Sequence, residues 1–147
     1  MRIVPILVLL ILGMSFTLPV TYASASTPAV HLRITTYSNP GLTIRSSKVQ
    51  TGGTLYIVVS LLNKAGKPVV WTSHVPLEIT LATKGGELSA TTVFITSGNS
   101  NTSASFGLIL YIPPSTTGVQ RIHASATINS AAQTTSKEIL VVPPPAA

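Results

Sequence analysis

From residue 54 to residue 142 apolar and polar side chains alternate in short runs separated by turn residues, the period-two signature of half-buried strands. Earlier in the chain Val30, Leu32 and Ile34 alternate with His31, Arg33 and Thr35 up to the turn Asn39-Pro40-Gly41, and Leu42 and Ile44 share one side of a second short run. After Thr51-Gly52-Gly53, residues 54–63 set Leu55, Ile57, Val59 and Leu61 on one face. The opposite face carries Tyr56, Val58 and Leu62, which marks a central strand with neighbours covering part of both sides. In the turn Asn63-Lys64-Ala65-Gly66-Lys67-Pro68, Gly66 can take a positive φ and Pro68 cannot donate to a ladder. Val75, Leu77, Ile79 and Leu81 point together in the next strand, with Glu78, Thr80 and Lys84 outward, and Gly85-Gly86 end it.

Residues 88–95 form one strand or a pair of short ones. Past the loop at 97–101, Ala104, Phe106, Leu108, Leu110 and Ile112 fall on one face before Pro113-Pro114 stop the ladder. Ile122, Ala124, Ala126 and Ile128 then face inward against Arg121, His123, Ser125 and Thr127, and a last strand runs from about Thr135 to Val142. No window of helical period with caps competes. The expectation is an all-β chain, an immunoglobulin-like two-sheet antiparallel β-sandwich of about seven to nine strands.

The amino terminus has a different pattern. Arg2 supplies a positive charge, residues 3–14 are almost uninterruptedly apolar, and Ala23-Ser24-Ala25 is a small-x-small cleavage pattern, so residues 1–25 read as a secretory signal cut before Ser26. The alternative is an uncleaved anchor, but the apolar run falls well short of the roughly 20 residues a spanning helix needs. The expected organisation is a signal peptide at 1–25, an N-terminal strand extension at 26–41, the sandwich at 42–142 and a proline-rich tail at 143–147. After cleavage no membrane span is expected, and the product is secreted, extracellular and in reach of the cell surface.

The chain has no Cys, so a disulfide framework and thiol chemistry drop out; a core of this size can fold without staples. The formal net charge is +6, yet Arg33, Arg45, Lys48, Lys64, Lys67, Lys84, Arg121 and Lys137 are scattered over different segments rather than gathered into a stripe, so nucleic acid is not an expected partner. The acids are Glu78, Glu87 and Glu138 alone, which leaves few groups for low pH to protonate. A hydrolytic triad would have to draw on one of them, for instance His123 and Glu138 with a serine. His31, His74 and His123 lack ligand spacing for zinc. No metal and no cofactor is expected, and the chain reads as non-enzymatic.

The run Asn63-Lys64-Ala65-Gly66-Lys67-Pro68-Val69, the strand opening Val75-Pro76-Leu77-Glu78-Ile79, and Gly85-Gly86-Glu87-Leu88-Ser89 resemble the bacterial immunoglobulin-like domains of the invasin and intimin type. Those domains carry an Asp-x-x-Gly-x-Pro-Val hairpin, a Val-Pro-Val-Thr-like strand and a Gly-Gly-x-Leu turn in the same order. Thr116-Thr117-Gly118, followed by Val119 with Ala124 and Ala126, is similar to the family's Thr-x-x-Gly-x-x-x-Val-x-Ala segment. The resemblance covers about residues 42–142. It implies a rigid extracellular module without catalytic residues, one that spaces an adhesive tip from a surface or itself binds a protein or cell-surface partner. Asn63 stands where the family usually has Asp, and residues 97–103 lack the usual Asp-x-x-Gly-x-Ala, so a cation held by family aspartates is not carried over.

Several residues remain outside that frame. The strand bearing Val30, Leu32 and Ile34 either forms the first edge of its own sheet or completes a neighbour's, as in pilus-like self-assembly by strand exchange. Trp71 is either a core tryptophan or, beside Tyr56 or Tyr111, a sugar-stacking platform of a carbohydrate-binding module. Asn101-Thr102-Ser103 is a glycosylation sequon in a loop expected to be exposed. Pro143-Pro144-Pro145 is stiff and extended, a plain terminus or the stub of a spacer.

Overall fold

The computed structural model describes residues 30–145. The expected signal peptide, the first residues of the N-terminal extension and the end of the tail lie outside the described residues. Among the described residues the chain is all-β but for one helical turn: β1 (Val30–Tyr37), β2 (Lys48–Gln50), β3 (Leu55–Asn63), β4 (Leu77–Lys84), β5 (Glu87–Leu88), β6 (Thr92–Ile95), α1 (Thr102–Ser105), β7 (Ile109–Ile112), β8 (Gly118–Ile128) and β9 (Ala131–Val142). They form a four-stranded sheet in the order β1-β3-β7-β5 and a five-stranded sheet in the order β2-β9-β8-β4-β6. No helix among the described residues is long and apolar enough to cross a membrane.

The alternation seen in the sequence explains why two sheets form. Each presents one apolar face, and both faces empty into a single core: Leu32, Ile34, Leu55, Ile57, Val59, Leu61, Ile109 and Tyr111 from the first sheet meet Ile79, Leu81, Val93, Ile95, Ile122, Ile139 and Val141 from the second. β3 lies between β1 and β7 as its two-sided apolar pattern requires, and Val58 and Leu62 on its outward face are buried as well.

Five details depart from the sequence expectation. Pairing is not wholly antiparallel, because β2 runs parallel to β9, Lys48 opposite Leu140 and Gln50 opposite Val142. Leu42 and Ile44 form no strand: Leu42 takes φ 57, and Ile44 is exposed where the chain turns back from β1. Val75 precedes β4 and is 71% exposed, so the inward set begins at Leu77.

The fourth is a phase error. Ile109 and Tyr111 are buried while Phe106, Leu108 and Ile112 are exposed, the reverse of the face inferred from the even-numbered residues. Both faces of this run are apolar, so alternation alone could not choose between them. The phase is set instead by α1, whose N-cap Asn101 accepts from the Ser103 and Ala104 amides through Oδ1, and by Gly107 at φ 109. β9 also starts earlier than expected, because Asn129 and Ser130 both have positive φ and close a two-residue hairpin that pairs Ile128 with Ala131.

Candidate functional site

Three surface regions carry the residues that the sequence singles out. The first is the outward face of the four-stranded sheet. Tyr37 is opposite Tyr56 and Tyr56 is opposite Leu110, so three large side chains from β1, β3 and β7 stand in one row across the sheet. Leu108, just before β7, and Ile112 at its end, 46% and 44% exposed, flank that row. Contiguous exposed apolar area rimmed by polar groups is the physical profile of a contact surface. Its position was not legible while β7 was read in the opposite phase.

The second is an open cleft of about 540 Å³ in the five-stranded sheet. Thr80 is the point where β4 changes partner: Leu77–Thr80 pair with β6, whereas Thr80–Lys84 pair with β8. Beyond the Thr80–Ser125 pair β8 continues with β9 alone, and the fork so formed is lined by Glu78, Thr80, Ser125 and Thr127, with Trp71 and Val75 from the preceding loop. Trp71 is half-buried and does two things at once: it packs on the core and it walls the cleft. Its indole Nε1–H donates to the Val75 carbonyl at 2.8 Å, which holds the loop closed over the fork. Tyr111 is no partner for it, being fully buried with its hydroxyl on the Gly85 carbonyl at 2.9 Å, and Tyr56 lies on the other sheet.

The third is the sequon. Asn101 is half-buried and caps α1; its Oδ1 accepts from the Ser103 hydroxyl at 2.6 Å and from the Ser103 amide at 3.0 Å. Its neighbour Thr102 is wholly buried, and Asn101 bridges Ser60 of β3. The loop is therefore stitched into the first sheet rather than exposed as the sequence suggested.

The remaining candidates are dispersed. Val30, Leu32 and Ile34 belong to β1, which pairs antiparallel with β3 of the same chain from Val30–Asn63 to Tyr37–Tyr56; Leu32 and Ile34 are core residues. His31 lies on β1, His74 in the loop before β4, and His123 on the outward face of β8 opposite Ser136. The Glu138 carboxylate, the acid a triad with His123 would need, is held by Arg121 Nη2 at 2.6 Å. No group of three or more His, Cys, Asp or Glu side chains fit to hold a metal ion occurs among the described residues. Compared with known proteins, the chain matches no family model and no curated protein.

Proposed function

We propose that this chain is a secreted, non-enzymatic immunoglobulin-like module with a structural or adhesive role at the cell surface. The observation that carries the reading is the strand order. β1-β3-β7-β5 follows the A-B-E-D order of an immunoglobulin sheet, and β9-β8-β4 follows the G-F-C order of its partner, a Greek-key arrangement in place of simple hairpins. The resemblance of residues 63–89 to the invasin and intimin type agrees with that order. The apolar row Tyr37, Tyr56 and Leu110, with Leu108 and Ile112, is the surface through which such a module would bind a protein partner.

The test is binding of the purified secreted protein to intact cells, alongside variants carrying Leu108→Lys and Ile112→Lys. Saturable binding that both substitutions abolish, without hydrolysis of generic ester or peptide substrates, is the expected result. Turnover of such substrates by pure protein would overturn the non-enzymatic reading, and unchanged binding by the variants would move the contact elsewhere. The Trp71 cleft, with its aromatic wall, Glu78 and hydroxyls, is the region a carbohydrate-binding module would use; Trp71→Ala on a neutral glycan panel examines it separately.

One observation favours a second reading, a filament subunit assembling by strand exchange. β1 is an edge strand whose apolar side chains are nevertheless buried, so the same Leu32 and Ile34 contacts could be made by a neighbouring copy. Protein lacking residues 26–37 that folds only when a peptide of that sequence is added would support it; indifference to the peptide would count against it.

A further inference from the structure

The sequence scatters its cations, but folding gathers three of them. Arg33 of β1, Arg45 of the β1–β2 connection and Lys137 of β9 line one cavity of about 270 Å³ at the open seam between the two sheets. The rest of the lining is Thr35, Thr36, Ser46 and Ser47, so its side chains are cationic or hydroxylic throughout. The seam exists because β2 covers β9 only at Leu140–Val142, leaving Lys137 beside β1 rather than under a neighbouring strand.

No carboxylate among the described residues balances these charges. The chain has three acids, and each is accounted for elsewhere. Glu138 follows Lys137 but points to the opposite face, where Arg121 holds it. Glu78 lines the Trp71 cleft, and Glu87 lies on β5, at the far edge of the four-stranded sheet from β1. Cations bordering one cavity with no counter-ion beside them leave a positive potential there, which an anion would relieve. Two of the hydroxyls maintain the architecture: Thr36 Oγ1 donates to the Ser46 carbonyl, and Ser46 Oγ donates to the Lys48 carbonyl at 2.9 Å. Those of Thr35 and Ser47 make no side-chain hydrogen bond among the described residues and remain to donate or accept.

We propose that this seam cavity binds an oxyanion, sulfate or carboxylate, borne by a saccharide. Guanidinium forks and an ammonium suit a multi-oxygen anion, and hydroxyls that both donate and accept match the hydroxyls of a sugar carrier. A peptide carrier is disfavoured because no apolar side chain lines the cavity to receive a peptide side chain. The volume suits one charged group with part of its ring rather than a polymer segment. The inference stands apart from the immunoglobulin-like reading, since it uses neither the apolar face nor the Trp71 cleft.

The experiment is an amide-resolved NMR titration of the protein with sodium sulfate, a sulfated disaccharide, a uronate disaccharide and hexaglutamate, each against sodium chloride at equal ionic strength. Saturable shifts confined to residues 33–36, 45–47 and 137 are expected, with at least one disaccharide about tenfold or more tighter than free sulfate. Arg45→Gln should weaken that binding by about tenfold and Arg45→Gln with Lys137→Gln should abolish it, whereas Lys84→Ala should leave it unchanged. Spectral dispersion of each variant reports its fold, and the wild-type titration stands even if one fails. Shifts that never saturate, or that spread equally to Lys64, Lys84 and Arg121, would overturn the site. Hexaglutamate binding more tightly than both disaccharides, or disaccharides no tighter than sulfate, would overturn the saccharide carrier.

Discussion

The amide of Val59, in the middle of β3, donates to the hydroxyl of Thr102 at 3.0 Å, across 43 residues of sequence. β7 pairs with β3 only from Leu55 to Ile57, so the chain must satisfy the upper part of that edge by other means. Thr102 receives Val59, the Ser100 carbonyl accepts from the Leu61 amide at 2.8 Å, and the Leu61 carbonyl accepts from the Val69 amide at 2.9 Å. A one-turn helix thereby stands in for a missing length of strand. Thr102→Val keeps the shape and removes the acceptor, leaving a buried N–H unpaired at a cost of about 1–3 kcal/mol. Thr102→Ser keeps the acceptor and should cost clearly less; urea unfolding of both variants measures the difference.

Gly85 and Gly86 illustrate why the turn after β4 demands glycine. Gly86 has φ 91, and a Cβ there would come within 2.6 Å of the Ile112 carbonyl and 2.7 Å of the Tyr111 hydroxyl. Gly86→Ala therefore combines left-handed strain with a backbone clash and should destabilise by about 2–4 kcal/mol. Gly66, at φ 80 with nothing within 4 Å of its would-be Cβ, faces the strain alone. Gly66→Ala should cost about 1 kcal/mol, and thermal melts of the pair give the ranking.

Tyr111 sits at the same junction. Burial raises its hydroxyl pKa above the ordinary tyrosine value, and the Thr83 hydroxyl offsets part of that rise. A group whose folded pKa is raised gives stability that is complete below the unfolded value, about 10 for tyrosine, and that is lost as pH climbs through the folded value. Stability should thus fall at strongly alkaline pH in the wild type. Tyr111→Phe should remove this component of the fall while costing about 0.5–1.5 kcal/mol at neutral pH for the lost bond to Gly85. Unfolding free energies measured at pH 8 and above pH 10 separate the two effects.

At the β8–β9 hairpin Asn129 and Ser130 hold φ values of 53 and 65. Asparagine tolerates this region and serine does so poorly, whereas glycine is the preferred second residue of such a turn. Ser130→Gly is accordingly expected to stabilise by up to about 1 kcal/mol, read as a rise in Tm.

Much of the frame was legible in residues alone. The inward sets of β4 from Leu77 and of β8 follow from strict alternation, β3 follows from the two-sided apolar pattern of a central strand, and the Gly66 turn follows from its composition. The face of β7 was not legible because apolar residues lie on both sides of that short run. There the face was decided by a helix cap tied to β3 through Thr102, whereas residues 88–95, expected as one strand or a pair of short ones, belong to a pair that divides between the two sheets. The clustering of Arg33, Arg45 and Lys137 was hidden because β1 and β9, far apart in sequence, meet only at the seam.

The Arg121–Glu138 pair is the sole salt bridge among the described residues, with its side chains 49% and 59% exposed. Such surface pairs contribute about 0–1 kcal/mol, so Glu138→Gln should scarcely change stability. With so few acids in the chain, β-sheet circular dichroism should persist from neutral pH to about pH 3. A sharp loss of signal in that interval would show that a carboxylate matters more than its exposure suggests.

The strand order is the claim on which the fold-based account depends, and interstrand NOEs measure it directly. Backbone contacts between Ile57 and Ile109 and between Leu81 and Ala124, with none linking β3 to β4, are the expected pattern. Contacts joining β3 to β4 as neighbouring strands of one sheet would contradict it and leave a plain meander without the crossover between the two sheets.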